Sequence, residues 1–396
     1  MRIVVTGANQ AVVGGAETYL TWLLRTLLGR GHDVAFAFER AASNPEQAVD
    51  RGLPAMQRWN SGAMNRAEYL FEVANFRPDI VFLQGASDES LDLALAERFR
   101  AVLFAHAFYG TCATGWKVHH LPTLQLCTRP FGSACLPINY LRGCGARSPI
   151  QLLNVYAAQR AREKVLHSLA GVVVASEYMR QVYLQNGTDD RNVRVLPPPG
   201  NLEPDAIPPS LRDIPSRVLF LGRFTAGKGA VRAIQAVARC QGSLRDRAIS
   251  LTMAGDGPEL ARCQRLAREL DVSVDFPGWV DSERRLTLLR NADVLIVPSQ
   301  WPEPFGMVGI EAGSLGVPAV AYRAGGIVDW LEPGVSGELA EPFGSRTLAG
   351  ALERALRDPG HHHQLQLGAW RAAHEFSGRR HVTGLEQFFR EISPSA

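Results

Sequence analysis

Lysine is close to absent from this chain: arginine supplies nearly all of the 42 basic residues, and lysine stands only at Lys117, Lys164 and Lys228. Each lysine therefore needs a reason, and Lys228 most of all, because Gly227 and Gly229 flank it. Long apolar runs are missing too. Nowhere do about 18 apolar residues follow one another, which excludes a hydropathy-type membrane span. The opening MRIVVTGANQ enters a strand-like run directly, without the apolar core and small-residue cleavage site of a secretory signal, so the expected location is cytoplasmic. No charge sign dominates: 42 basic and 39 acidic residues leave a net charge of +3, too little to imply nucleic acid as a partner. Internal repeats and low-complexity tracts are also lacking. Six cysteines in a cytoplasmic chain suggest thiols or a metal rather than disulfides. The run His361 to His363 is too isolated for a metal site and reads as a solvated turn.

What is present is the composition of a globular protein, 46% hydrophobic and 20% charged, at a length suited to two or three domains. Residues 2–6 read as a strand, 7–15 as a loop, 16–28 as a helix and 33–38 as a strand. This βαβ opening implies a parallel sheet. Strand candidates continue it at 80–83, 102–105, 172–175 and 193–196. Residues 197–215 hold seven prolines in nineteen positions and read as an interdomain linker. The pattern then restarts, with strands at 217–221, 249–254, 274–276 and 294–297 alternating with helices at 229–240, 256–270 and 283–290. The expected fold class is α/β, with two doubly wound, Rossmann-like domains facing across a cleft at the carboxyl ends of their strands. The expected boundaries are 1–200, containing a cysteine-rich insertion at 106–149, and 201–375. A helical run at 374–392 leads into a terminal segment, 376–396.

The chemistry concentrates in Ser299 to Gly326, SQWPEPFGMVGIEAGSLGVPAVAYRAGG. It follows the strand at 294–297 and passes through a Pro-containing loop into a helix-like run, Met307 to Leu315, which Gly316 caps. A strand leading to a helix N-terminus offers free backbone N–H groups to an anion. Glu303 and Glu311 put a carboxylate on each side of that seat. Carboxylates accept strong hydrogen bonds from sugars and ribose, so the ligand carries hydroxyls as well as phosphate. Gly14 and Gly15 open the first helix, where glycine lets the backbone approach a phosphate. His106 ends the strand at 102–105, placed to hydrogen-bond a sugar hydroxyl or to serve as a structural histidine.

Glu303 and Glu311 within PEPFGMVGIEA, followed by GVPAVAYRAGG, resemble the E-x7-E signature of the family-4 retaining glycosyltransferases, which have the GT-B fold. GGAE at Gly14 to Glu17, the G-R-x4-K-G pattern from Gly222 to Gly229, GDGPE at Gly255 to Glu259 and FPGWV at Phe276 to Val280 are similar to further landmarks of that family. The resemblance covers most of the chain and is best from Arg217 to Glu338. It implies transfer of a hexosyl unit, with retention and without a catalytic metal, from a UDP- or GDP-sugar to a saccharide or lipid-linked acceptor. Cell-surface polysaccharide or glycoconjugate synthesis is the implied setting. Arg223 and Lys228 would neutralise the leaving diphosphate. Glu303 would hold donor-sugar hydroxyls and Glu311 the ribose. Phe305 lies in the same motif, and the backbone of Gly306, Met307 and Val308 would bind the diphosphate. Trp279 or Val280 would meet the base, with a core position for Trp279 the alternative, and Asp256 would cap a helix. The terminal helix would cross back onto the first domain. A sugar-nucleotide epimerase on the same fold, or a non-catalytic sugar-nucleotide binder, are the competing readings.

Cys112, Cys127, Cys135 and Cys144 fall at gaps of fifteen, eight and nine residues, which fit no common zinc module. A Gly- and Pro-rich insertion still needs a staple. A structural zinc on the four thiolates, with His119 or His120 able to replace one, would supply it. An iron–sulfur cluster ranks lower because glycosyl transfer has no redox step, and separate reduced thiols are the other reading. Arg160, Arg162 and Lys164 would allow peripheral contact with anionic lipid at the inner face of a membrane, or form a solvated face.

Overall fold

β1 (Arg2–Asn9) is apolar on both faces through its centre, as a strand covered by helices on both sides of a parallel sheet must be. β2 (Asp33–Arg40), β3 (Gln57–Asn60), β4 (Ile80–Leu83) and β5 (Ala101–Ala105) follow it, and the two-residue strands β6 (Val118–His119) and β7 (Gln125–Leu126) lie in the irregular insertion. With β8 (Gly171–Val174) and β9 (Val193–Val195), the seven-stranded sheet runs β3-β2-β1-β4-β5-β8-β9, every pair parallel. The strand order reverses between β1 and β4. A second sheet contains β10 (Arg217–Leu221), β11 (Ser250–Ala254), β12 (Val274–Gly278), β13 (Val294–Val297), β14 (Ala319–Tyr322) and β15 (Gly337–Ala340), in the order β12-β11-β10-β13-β14-β15, again all parallel. Its reversal falls between β10 and β13. In open α/β sheets such reversals open a crevice at the carboxyl ends of the strands.

This computed structural model describes all residues except 201, 203, 211–214, 246–247, 342 and 394–396. The chain divides into one unit of Met1–Pro122, Cys127–Asn201 and Gly378–Ala396, and another of Thr123–Leu126 and Leu202–Ser377. Residues 201, 203 and 211–214 of the proline-rich stretch at 197–215, and the end of the terminal segment, lie outside the described residues. No helix among those described is long and apolar enough to cross a membrane.

The terminal helix Gly378–Ile392 belongs to the first unit. Val382, Leu385, Phe388 and Phe389 enter the same core as Ile3, Val5, Phe82 and Val102, and Phe389 meets Phe82 edge to face. Beside them Glu386, also buried, takes Arg30 at 2.7 Å and His32 at 2.9 Å. Gly171 at the start of β8 makes room for this helix, since a Cβ there would stand 2.5 Å from the Phe388 ring.

Three sequence expectations are corrected. The helical run at 374–392 is two helices, Pro359–Glu375 and Gly378–Ile392, with the break at Phe376 and Ser377. His361 to His363 are not a turn but the first turn of Pro359–Glu375. The Asp358 side chain caps it by accepting from the His361 N–H, Pro359 occupies the first helical position, and His362 is buried with Nδ1 3.0 Å from the Ala355 carbonyl. Asp256 is no helix cap, because the helix starts only at Leu260. Gly255 and Gly257 hold φ of +137° and +149°, and a Cβ on Gly257 would press to 2.7 Å of the Phe224 carbonyl oxygen. Asp256 instead accepts from the Gly257 N–H.

Candidate active site

In the second unit, three loops leave the carboxyl ends of neighbouring strands β10, β13 and β14, and tight glycine contacts lace them together. A Cβ on Gly229 (φ +69°) would fall 1.9 Å from the Pro298 carbonyl oxygen, and the Gln300 N–H donates to Gly227. That registers the β10 loop against the β13 loop. Gly325 (φ +67°) pairs with Glu303 in an isolated parallel bridge, and the Gly326 N–H donates to the Glu303 carbonyl at 2.7 Å. The β13 loop is thereby tied to the β14 loop as well. Only glycine fits these approaches.

The consequence is a meeting of side chains 75 residues apart. The Lys228 ammonium donates to Glu303 Oε1 at 2.6 Å, the Ser299 hydroxyl donates to the same oxygen, and Lys228 also lies 5.4 Å from the Trp301 ring centre. Glu303 is 4% exposed. Burial pushes its pKa up, but the Lys228 charge and the hydrogen bonds from Lys228, Ser299 and Trp301 outweigh burial and hold the carboxyl below its ordinary range. Glu303 is thus ionised at neutral pH, with Lys228 and Ser299 both donating to Oε1. Arg223 is exposed on the same β10 turn, one residue after Gly222.

Behind Glu303 the helix Met307–Ser314 begins at Gly306 (φ +88°), which has no side chain to cap the first turn. The N–H groups of Met307 and Val308 therefore face the position where an anion would bind. Trp330 holds this turn: its indole N–H donates to the Phe305 carbonyl at 2.6 Å, and its ring fills the space in which a Cβ on Gly309 would sit, at 2.0 Å. The Phe305 side chain is core, 2% exposed and packed on Phe376, so only its backbone is available to a ligand. Glu311 is fully buried, and its carboxylate is engaged by Arg285. Accepting ribose hydroxyls requires Arg285 to give way. Trp279, just past β12, is 78% exposed, which removes the core reading for that ring; Val280 beside it is half-buried.

In the first unit Gly14 is the uncapped N-terminus of the helix Gly15–Gly29, with Asn9 donating to Glu17 in its first turn. His106 follows β5, and its Nε2 stands 2.8 Å from Gln84 Oε1, just past β4. The Gln84 N–H in turn reaches the Thr6 hydroxyl of β1. Burial lowers the His106 pKa to about 4. The imidazole is therefore neutral near pH 7, a hydrogen-bonding group rather than a cation or a proton store. Its ring signals in a two-dimensional NMR titration are expected to stay fixed from about pH 8 to about pH 5.5, shifting only as the solution approaches the lowered value. A midpoint near the ordinary histidine value would show the ring is not desolvated.

Cys112, Cys127, Cys135 and Cys144 form no disulfide and lie in one neighbourhood, but three of them turn to local partners. Cys144 Sγ lies 3.4 Å from His119 Nδ1, Cys112 Sγ accepts from the Lys117 N–H, and Cys135 Sγ faces the Pro130 carbonyl. Burial, then the neighbouring thiols Cys127, Cys112 and Cys135, push the Cys144 thiol up to about 11. Among the described residues no three His, Cys, Asp or Glu side chains gather as metal ligands. As they stand, the four thiols do not fit a tetrahedral ion.

Gln84, Ser299, Arg285 and Trp330 were not anticipated from the sequence. Gln84 carried one signal: like His106, it directly follows a buried four- or five-residue strand.

Two family models match the chain: Glycosyltransferase Family 4 over residues 13–203 and Glycosyl transferases group 1 over residues 208–369. An uncharacterized glycosyltransferase of Methanocaldococcus jannaschii is 32% identical over 152 residues, 38% of this chain and 38% of that protein. The match thus spans little more than a third of that relative's length. D-inositol 3-phosphate glycosyltransferase of Corynebacterium jeikeium is 26% identical over 365 residues, 82% of this chain and 85% of that protein. Among solved structures, Anabaena HepE in complex with UDP and glucose superposes with a TM-score of 0.70 at 18% identity, covering 100% of both chains.

Proposed function

We propose, for a chain that belongs to the family-4, group 1 glycosyltransferases and has their GT-B fold, that it moves a hexosyl unit from a UDP- or GDP-sugar to a saccharide or lipid-linked acceptor with retention at the anomeric carbon. The observation that carries this reading is the Lys228–Glu303 contact at the β10/β13 reversal, beside an uncapped helix N-terminus. A cation, two or three backbone N–H groups and an ionised carboxylate within one set of loops match a diphosphate joined to a polyol. The HepE structure holding UDP and glucose supports the same ligand class.

In this mechanism Lys228 and Arg223 neutralise charge as the nucleoside diphosphate departs, and the amides of Gly306, Met307 and Val308 hold it. Glu303 fixes donor hydroxyls. Neutral His106, engaged through Nε2 with Gln84, is cast as a hydrogen-bonding group and not as a proton carrier. No side chain is cast as a covalent nucleophile: the departing phosphate oxygen takes the acceptor proton on the face the acceptor attacks. The work is cytoplasmic, with peripheral contact to the membrane that bears a lipid-linked acceptor, in glycoconjugate or polysaccharide synthesis. A structural zinc on Cys112, Cys127, Cys135 and Cys144 would require those thiols to rearrange around the ion. One equivalent of zinc in the purified protein is the result that would establish it.

A thermal-shift screen against UDP- and GDP-sugars tests the donor, and NMR of the product tests the stereochemistry. One nucleotide sugar should raise Tm, and slow donor hydrolysis or transfer should release the nucleoside diphosphate and an anomer of unchanged configuration. An epimerised sugar nucleotide would favour the epimerase reading, and binding without turnover the silent binder. No shift with any donor would overturn the site.

A further inference from the structure

Acidic residues are evenly available in this chain, 39 against 42 basic, yet none occurs from Arg98 through Arg162, a stretch holding eight arginines and lysines. The same stretch supplies a cluster of large apolar side chains left open to solvent. Trp116 is 49% exposed, Leu121 50%, Tyr140 47%, Leu141 72%, Ile150 73% and Leu153 57%. An exposed apolar residue alone means nothing, but six within 38 positions form a patch.

The backbone binds them into one surface. The His120 and Leu121 N–H groups both donate to the Arg142 carbonyl at the end of the helix Cys135–Arg142, and Leu121 packs over Gly143. Trp116 packs over Gly145. The loop onward is pinned to that helix by Asn139, whose amide donates to the Ala146 carbonyl and accepts from the Ala146 N–H. Ser148 then caps the helix Pro149–Ser168, which presents Ile150 and Leu153 three positions apart on its opening turn while burying Leu152. Arg129 and Arg147 are exposed in the same segment, and Arg142 is half-buried at the joint.

We propose that this face, carried by the Cys135–Arg142 helix and the start of Pro149–Ser168, docks the protein on an anionic lipid surface. The occupant follows from the chemistry. Leu141, Ile150 and Leu153 suit the acyl boundary, Trp116 and Tyr140 have the amphipathic rings that settle at headgroup depth, and arginines without any neighbouring carboxylate in the sequence meet anionic headgroups. The helices lie on the membrane and do not cross it. This deepens the peripheral contact included in the proposed function by naming its surface and lipid. It does not depend on the sugar-transfer reading, because vesicle binding is read without donor.

The test is flotation of the full chain with phosphatidylcholine vesicles, with and without phosphatidylglycerol. The chain should float with the anionic vesicles and stay down with the neutral ones. The double variant Leu141→Glu/Ile150→Glu should abolish flotation; both sites are exposed, and unchanged thermal unfolding and an unchanged nucleotide-sugar Tm shift would report intact folding and donor site. Should that variant fail to fold, Arg129→Gln and Arg147→Gln should each weaken binding about five-fold and reduce its salt dependence. Three results would overturn the proposal: no flotation with anionic vesicles, equal flotation of the folded variants, or a concentration-dependent dimer that the double variant dissolves, which would make the face a contact between copies.

Discussion

Glu303→Gln is expected to lower sugar transfer by about 10²–10³-fold while the protein stays folded, the size of effect seen when one preorganised charge-stabilising partner is removed. The substitution keeps the shape of the side chain, so the bridge of Glu303 to Gly325 and the bond from the Gly326 N–H to its carbonyl survive. What it removes is the negative charge facing Lys228 and one of the two carboxylate oxygens, which becomes an NH2 donor; the amide oxygen can still accept from Lys228 and Ser299. A fully buried cation stripped of its partner would cost about 3–5 kcal/mol. The Lys228 side chain is 29% exposed and can turn to water, so the loss of stability should be smaller than that. Steady-state kinetics with the best donor, read beside thermal unfolding, separates the two effects. Glu303→Ala is the harsher change, because it also empties the space the side chain fills. A folded Glu303→Gln protein with near-normal turnover would remove Glu303 from the chemistry and with it the central assignment.

The parts of this fold legible in the sequence are those in which a strand is buried on both faces. Residues 80–83, 217–221 and 294–297 were bounded correctly because IVFL, RVLFL and VLIV are β-branched or apolar almost throughout, as the interior of a parallel sheet demands. β3 was missed because its sequence, QRWN, has the polarity of a sheet edge. β15 was missed for a different reason. GELA has little strand propensity, yet all four residues are buried, and Gly337 is needed because a Cβ would stand 2.2 Å from the Ala319 carbonyl oxygen. Tertiary packing decides such a strand. The same division runs through the site. Lys228 and Glu303 announced themselves through flanking glycines and a spaced motif. Ser299, Arg285 and Trp330 gave no local sign, because what each does is set by a partner four to twenty-six residues away in sequence and adjacent only in the folded chain.

Lys228→Gln should do more than weaken donor binding: it should move the pH dependence of the enzyme. In the native site two opposing effects act on Glu303, burial raising its pKa and the adjacent ammonium lowering it, with the ammonium and the hydrogen bonds prevailing. The carboxylate is then fully ionised above its ordinary range, and no acid limb from Glu303 is expected in kcat/KM between about pH 5 and pH 8. Without the lysine charge and its hydrogen bond, burial is the dominant influence and the pKa rises above the unfolded value. The acid limb should therefore move toward neutrality, with part of the lost kcat recovered on raising the pH, while the donor KM stays high because the diphosphate has lost its cation. Stability must follow the same sign. A carboxyl whose folded pKa is depressed stabilises the fold above the unfolded pKa and loses that contribution as pH falls through the folded value. One whose folded pKa is raised instead makes the fold less stable as pH climbs through the interval between the two values. The Tm difference between variant and parent should accordingly widen from about pH 4 to about pH 8. A parallel pair of Tm curves together with an unmoved acid limb would mean that Lys228 does not govern the ionisation of Glu303, and that the 2.6 Å contact between them is structural only.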